Sequence, residues 1–221
     1  MAVFPTEVRL IRINNCVLYV FKKLQVVYLQ IPKAACTTIK WNLALAEGLI
    51  DEATPFHWVN AQKNLCGFWG LPEKYNNFFW FTFVRNPYDR LVSGWYDKIV
   101  DNKVEAVIEH AHPGVFSPGM TFPDFVRQLE TIPDERTNGH FHSQTGLIKN
   151  NIADKNLHYI ARVENFAVDW AALASHLMIS PKSVWLNAKN RNHYRTYYNQ
   201  ETLDIVTKRF QNDLDTFGYL F

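Results

Sequence analysis

Gln25-Val26-Val27-Tyr28-Leu29-Gln30-Ile31-Pro32-Lys33-Ala34-Ala35-Cys36-Thr37-Thr38-Ile39-Lys40 decides the fold. Its first seven residues form a short apolar, β-branched run stopped by Pro32, as in a buried strand. A loop of small side chains follows. Thr37 or Thr38 is placed to cap a helix in which Ile39, Leu43 and Ala46 recur at helical spacing until Gly48. The same grammar returns downstream. Phe78-Phe79-Trp80-Phe81-Thr82-Phe83-Val84 is continuously apolar, and after Arg85 come Asn86 as a cap and Pro87 as a first-turn residue. The helix predicted there carries Leu91, Trp95 and Ile99 on one face, with Val92 and Tyr96 beside them.

Farther out, a Pro/Gly-rich excursion runs from His112 to Pro123, a short helix is predicted near Phe125 to Leu129, and a polar loop spans Pro133 to Gly139. A strand is expected over Leu157 to Ala161, a helix from about Ala167 to Leu177, and a last helix from Gln200 to Leu214. Strands alternating with helices predict an α/β single domain, its central parallel sheet flanked by helices on both faces. A length of 221 residues without a linker-like tract suits one domain.

The 48% hydrophobic and 20% charged content excludes a disordered chain. Lys plus Arg number 23 against 21 Asp plus Glu, and the net +2 is too small for a general polyanion surface, so nucleic acid is not an expected partner and any anion site is local. The apolar runs, Val17 to Phe21 and Phe78 to Val84, are far short of the ~20 residues of a membrane helix, and no signal peptide is evident at the N-terminus. The three cysteines, Cys16, Cys36 and Cys66, have no Cys-x-x-Cys spacing. Neither a disulfide framework nor a zinc site is expected, and the setting is read as reducing and cytoplasmic.

Two loops carry chemistry. Small side chains at Ala34, Ala35 and Cys36 let backbone N–H groups approach an anion at a helix N-terminus, and Lys33 adds charge. The Gly-x-x-x-x-Gly-Lys-[Ser/Thr] pattern is absent, and an ordinary exposed lysine is the competing reading. Arg85 and Ser93 are eight residues apart, about 12 Å along a helix axis, so an arginine and a hydroxyl can grip one phosphate between them. The competing reading has Arg85 paired with an acid. Two strand-loop-helix units, each ending in an anion-binding group, favour a nucleotide with two separated anionic ends.

Val27 to Lys40 resembles the 5′-phosphosulfate loop of sulfotransferases that use 3′-phosphoadenosine-5′-phosphosulfate (PAPS), and Phe81 to Tyr96 resembles their 3′-phosphate motif. The likeness is strongest to the carbohydrate branch that includes the chondroitin 4-O-sulfotransferases (sulfotransferase family 2). Weaker echoes follow in order at Asn138 to Gln144, Ile160 to Phe166, Tyr197-Tyr198 and Asp213 to Tyr219, so the resemblance runs from about Val26 to the C-terminus. It implies a P-loop nucleotide-kinase-like sulfotransferase fold, with a nucleotide-binding core at about 24–100 plus 155–180 and an acceptor-facing insert at about 101–150.

The resemblance also implies roles. Lys33 would neutralise the 5′-phosphate and the bridging oxygen as it leaves, and Ala34, Ala35, Cys36, Thr37 and Thr38 would hold that phosphate. Arg85 and Ser93 would hold the 3′-phosphate, with Arg191 and Tyr194 joining the cofactor site. Sulfuryl transfer needs a base for the acceptor hydroxyl, and histidine suits it. His57, between the two motifs, is favoured over a structural histidine beside Trp58; His140 and His142 are the next candidates, and both, with Gln144, are expected at the acceptor, Gln144 having the cofactor as its alternative partner. Lys189, Arg191, His193 and Arg195 alternate with other residues, so an extended segment would turn four basic groups to one side, over the cofactor or an acidic glycan, unless that face is merely solvated.

The expected product nucleotide is 3′-phosphoadenosine-5′-phosphate (PAP), the expected acceptor a hydroxyl-bearing carbohydrate, and no metal is required. Golgi members of the family carry an anchor, a stem and later cysteines that are not seen here, which favours a bacterial-type soluble enzyme; the Golgi lumen is the alternative if an anchor was removed. The competing functions are a nucleotide-dependent kinase, disfavoured by Ala34 where Mg²⁺ usually needs Ser or Thr, and a catalytically silent nucleotide- or glycan-binding module.

Overall fold

The computed structural model describes residues 17–55, 73–101, 106–152, 156–184 and 191–221. Four strands, β1 (Val17–Phe21), β2 (Val26–Gln30), β3 (Phe79–Val84) and β4 (Tyr159–Arg162), form one sheet in the order β1-β2-β3-β4. β2 pairs parallel with β3, in register Val26 to Phe79, and β3 parallel with β4. The expected central parallel sheet is thus β2-β3-β4, and β1 adds to it by pairing antiparallel with β2. The reason is length: only residues 22–25 separate the two strands, enough for a hairpin and far too few for a parallel crossover. Gln25, with φ 53, supplies its left-handed turn residue.

The helices are α1 (Cys36–Glu47), α2 (Pro87–Trp95), α3 (Ala106–Ala111), α4 (Phe122–Glu130), α5 (Gln144–Ile152), α6 (Phe166–His176), α7 (Gln200–Arg209) and α8 (Gln211–Phe217). Side chains alternate across the sheet. Val27, Leu29 and Trp80 face a core built with Leu91 and Trp95 of α2, Phe125 of α4, Leu147 of α5 and Val206 of α7. Val26, Tyr28, Phe81 and Phe83 face the other way, onto Ile39 and Leu43 of α1 and Trp170 and Leu173 of α6. Burial on both faces is why β2 and β3 read as unbroken apolar runs.

Several expectations shift. α1 starts earlier than a Thr37 or Thr38 cap would place it: Ala35, at φ 56, is the N-cap, and no side chain caps that end. Asn86 caps α2 as expected, its side chain accepting from Tyr88 N–H at 3.0 Å. α2 continues as a π-helical turn, Tyr96–Asp101. The predicted last helix breaks at buried Phe210 into α7 and α8. α5 was not foreseen, because Gly146, Asn150 and Asn151 are poor helix formers. Its start is held from outside: the buried Asp213 carboxylate of α8 accepts from Gln144 N–H and Thr145 N–H, each at 2.8 Å. Among the described residues, no helix is long and apolar enough to cross a membrane.

Candidate functional site

Parallel pairing of β2 with β3 sends both chains out at the same sheet edge, so the loop bearing Lys33 and the one bearing Arg85 emerge side by side. Lys33 (φ 67) and Ala35 (φ 56) are both left-handed, with one residue between them. Such backbone is uncommon outside glycine, and it lets successive N–H groups converge into an anion-binding nest. Hydrogen bonds to the loop carbonyls impose it: Ala34 N–H donates to Ile31 O at 3.2 Å, Arg90 Nε to Pro32 O at 3.0 Å and Arg85 NH1 to Lys33 O at 3.0 Å. Ala34 is fully buried, and Cys36, a free thiol, opens α1. Thr37 is half-buried and Thr38 buried.

Lys33 Nζ lies 3.1 Å from Asp97 Oδ2, which also pairs with Lys98 Nζ at 3.1 Å. Asp97 and Lys98 come from the π-helical turn that extends α2. Burial raises the Asp97 pKa, but Lys33 and Lys98 outweigh it and hold the carboxyl down at about 2. The Lys33 pKa is lowered, because its burial exceeds what Asp97 restores.

Arg85 follows β3. Its Nε and NH2 meet Asp89 Oδ2 at 2.9 and 2.7 Å, one helical turn on, and its NH1 reaches back to Lys33 O. One N–H remains on each terminal nitrogen of the five-donor guanidinium. Arg191, far along the chain, joins the same Asp89 carboxylate. Burial opposes that charge, yet Arg85 and Arg191 keep Asp89 below its ordinary pKa. Ser93 is half-buried on α2.

His140 lies in the loop before α5. Burial first, then Lys98, Lys33 and Arg90, partly offset by Asp97, push its pKa down to about 3, so the ring is neutral and stands in the field of the Lys33 loop. Buried Arg90 of α2 fixes that juxtaposition: while Nε holds Pro32 O, NH1 donates to His142 O at 2.8 Å and NH2 to Gly139 O at 3.0 Å. One guanidinium thus ties the lysine loop to the histidine loop.

The structure therefore brings together Lys33, Ala34, Ala35, Cys36, Arg85, Arg191 and His140. It places the others as follows. His142 is buried, with Nδ1 2.9 Å from Asp134 Oδ2, in ion-pair range but off the line of a good hydrogen bond. Gln144 is fully buried and its amide clasps the Arg85 backbone, Oε1 accepting from Arg85 N–H at 2.9 Å and Nε2 donating to Arg85 O at 2.8 Å. Tyr194 packs edge-on against Phe221. Among the described residues of the basic stripe, Arg191 and Arg195 diverge: Tyr194–Tyr197 is a 3₁₀ turn, and Arg195 points to Phe221 O at 2.7 Å while Arg191 points to Asp89. His57, with Trp58, and Lys189 lie outside the described residues. Asp89, Asp97, Lys98, Arg90 and Asn138 were not singled out from sequence. For Asp89 a signal existed, since Asp four residues after Arg is ion-pair spacing on a helix. Among the described residues, no group of three or more His, Cys, Asp and Glu could hold a metal ion.

The chain is 28% identical over 129 residues to carbohydrate sulfotransferase 14 of Homo sapiens, covering 52% of this chain and 34% of the relative, so it spans about a third of that protein's length. No solved structure matches. A family model described as "Sulfotransferase family" matches residues 18–220, which takes in the loops that bear Lys33, Arg85 and His140, and the chain belongs to that family.

Proposed function

We propose that the protein transfers a sulfuryl group from PAPS to a hydroxyl of a carbohydrate acceptor. The observation that carries the reading is the triple junction at the sheet edge: Lys33 in a left-handed nest, Arg85 bonded to the Lys33 carbonyl, and His140 tied to the same loop through Arg90. The residues fit such a donor. An uncapped helix start, small Ala34 and Ala35 and a half-buried ammonium suit a phosphate, and Arg85 with Arg191 suits a second one set apart from it.

When bound, the donor supplies an electrophilic sulfur and a phosphate leaving group. Lys33 and the N–H groups from Ala35 to Thr38, with small Ala34 leaving room, would bind its 5′ end, and Lys33 would meet charge that develops on the leaving oxygen. Arg85, assisted by Arg191, Ser93 and Tyr194, would bind the 3′-phosphate, and Gln144 holds the Arg85 main chain still beneath it. His140 would take the proton from the acceptor hydroxyl. Its low basicity reflects burial and the surrounding cations. Negative charge placed on Lys33 and Lys98 relieves the second part, so the ring gains basicity when the site is filled. His57 is the competing base. The compartment proposed is the cytoplasm, on the free Cys36 thiol and the unpaired cysteine pattern.

Calorimetry with PAP, ATP and unsulfated oligosaccharides in metal-free buffer tests the reading. PAP is expected to bind in the micromolar range or below, and Arg85→Ala to weaken it about 10–150-fold, the equivalent of about 1.5–3 kcal/mol for a charge-assisted contact. Unchanged affinity in Arg85→Ala removes the 3′-phosphate assignment, and preference for ATP with magnesium returns the kinase.

A further inference from the structure

Asn138 stands two residues before His140 and is itself buried. Its Oδ1 accepts from the His140 main-chain N–H at 3.0 Å and lies 2.7 Å from His140 Nδ1. The main-chain N–H can only donate, so the amide atom facing it is the oxygen. An amide oxygen has no proton to give, and the ring nitrogen it meets must therefore be the donor. In a neutral imidazole that puts the proton on Nδ1 and the lone pair on Nε2. His140 is neutral for the reasons given above.

The orienting group is itself held. Asn138 N–H donates to His112 Nε2 at 3.0 Å, and Asn138 O accepts from Phe141 N–H at 2.8 Å and His142 N–H at 3.1 Å. On either side, Arg90 grips the carbonyls of Gly139 and His142 and, through Pro32 O, the Lys33 loop. Ring tautomer and loop position are thus set by two different residues.

We infer that Asn138 is a positioning residue of this site, holding His140 in the Nδ1–H tautomer so that Nε2 is the atom that takes a proton; this rests on the role proposed above for His140. The alternative is an Asn that only closes its own turn, and it is separable, because the Asn138 main-chain bonds persist when the side chain is cut back.

Two variants test it. In Asn138→Ala the loop keeps the bonds of the Asn138 main chain and its Arg90 anchors, while the His140 ring and the His140 main-chain N–H both lose their acceptor. Nitrogen NMR of histidine-labelled protein, with His140 assigned by comparison with His140→Ala, is expected to show Nδ1–H in the wild type and a shift of the proton toward Nε2 in the variant. PAP affinity by calorimetry is expected to hold. Single-turnover transfer from labelled PAPS to unsulfated chondroitin is expected to fall about 10–100-fold, as when an outer-shell partner of a functional histidine is lost. Asn138→Asp restores an acceptor oxygen with a negative charge. It is expected to regain the tautomer and most of the rate, and to move the acid limb of the rate profile to higher pH, since the new carboxylate joins Asp97 against Lys98, Lys33 and Arg90 around the ring. A wild-type tautomer in Asn138→Ala, or a rate and pH profile unmoved in both variants, overturns the inference. Normal transfer by His140→Ala, with the tautomer still shifted in Asn138→Ala, instead retires His140 as base and leaves the positioning bond standing; absence of PAP binding in the wild type retires the proposed function, and the NMR result stands on its own.

Discussion

At the scale of single residues, the site is a set of half-buried charges in which each carboxylate serves two cations. Asp97 meets Lys33 and Lys98, and Asp89 meets Arg85 and Arg191. His140 stands among them with the Asn138 amide oxygen on Nδ1. That arrangement gives His140 the proposed role and sets its prediction: His140→Ala should keep PAP affinity and lose single-turnover transfer by about 10²–10⁴-fold, the range for a general base. His57→Ala, measured in parallel, should retain more than about a tenth of the rate; if it is His57→Ala that collapses while His140→Ala transfers normally, the role passes to His57. Lys33 and Arg85 were readable in the sequence because each sits at a strand end inside a contiguous pattern. Arg90 was quoted within such a pattern, yet its task was not legible there, since its acceptors Gly139 and His142 lie about fifty residues away. Gln144 shows the same limit: its type suggests a sugar contact, and only its burial against the Arg85 backbone shows where its amide goes.

At the scale of elements, α5 is the helix that the chain's local preferences do not build. Asp213 caps its start, and Gly146 lets it sit close to the turn before it. A Cβ at Gly146 would lie 2.7 Å from Ser143 Oγ and 2.8 Å from His142 Nε2. Neither can move away freely: Ser143 Oγ donates to Asp134 at 2.5 Å, and His142 is buried. Gly→Ala normally gains roughly 0.5–1 kcal/mol inside a helix, but overpacking costs about 1–3 kcal/mol, so Gly146→Ala is expected to destabilise on balance. A urea titration followed by far-UV circular dichroism checks this, and a midpoint equal to or above wild type refutes the packing argument. Strands β2 and β3 were legible because burial on both faces leaves an unbroken apolar run. β1 was not, since a five-residue run of the same kind says nothing of its direction until its four-residue link to β2 is seen as a hairpin.

At the scale of the whole molecule, the lowered histidine values couple stability to pH. Burial and nearby cations depress His140 to about 3, and burial with Arg209 depresses His112, both from an ordinary value of 6.5. Between the folded and ordinary values the unfolded chain binds protons that the folded protein refuses, so stability is full above about pH 6.5 and falls as the pH drops below it. Asp97 has the carboxylate form of the same linkage: with a folded value of about 2 against 3.8, its contribution is present above about pH 3.8 and is lost toward pH 2. Urea midpoints should therefore decline from pH 7 through pH 5 to pH 4, with a shallower slope in His140→Ala; a midpoint constant over that range contradicts the buried, neutral state of these rings. By itself the sequence determined the strand-loop-helix units, the α/β class and the two loops that follow β2 and β3, because hydrophobic period, caps and loop composition act over a few neighbouring residues. Only the tertiary structure decided that β1 runs antiparallel, that Phe210 divides the last helix, that Arg191 and Arg195 diverge, and that Arg90 ties the His140 loop to the Lys33 loop. Each of those depends on which distant groups share one low-dielectric, close-packed interior, where a charge or a carbonyl must find its partner through space.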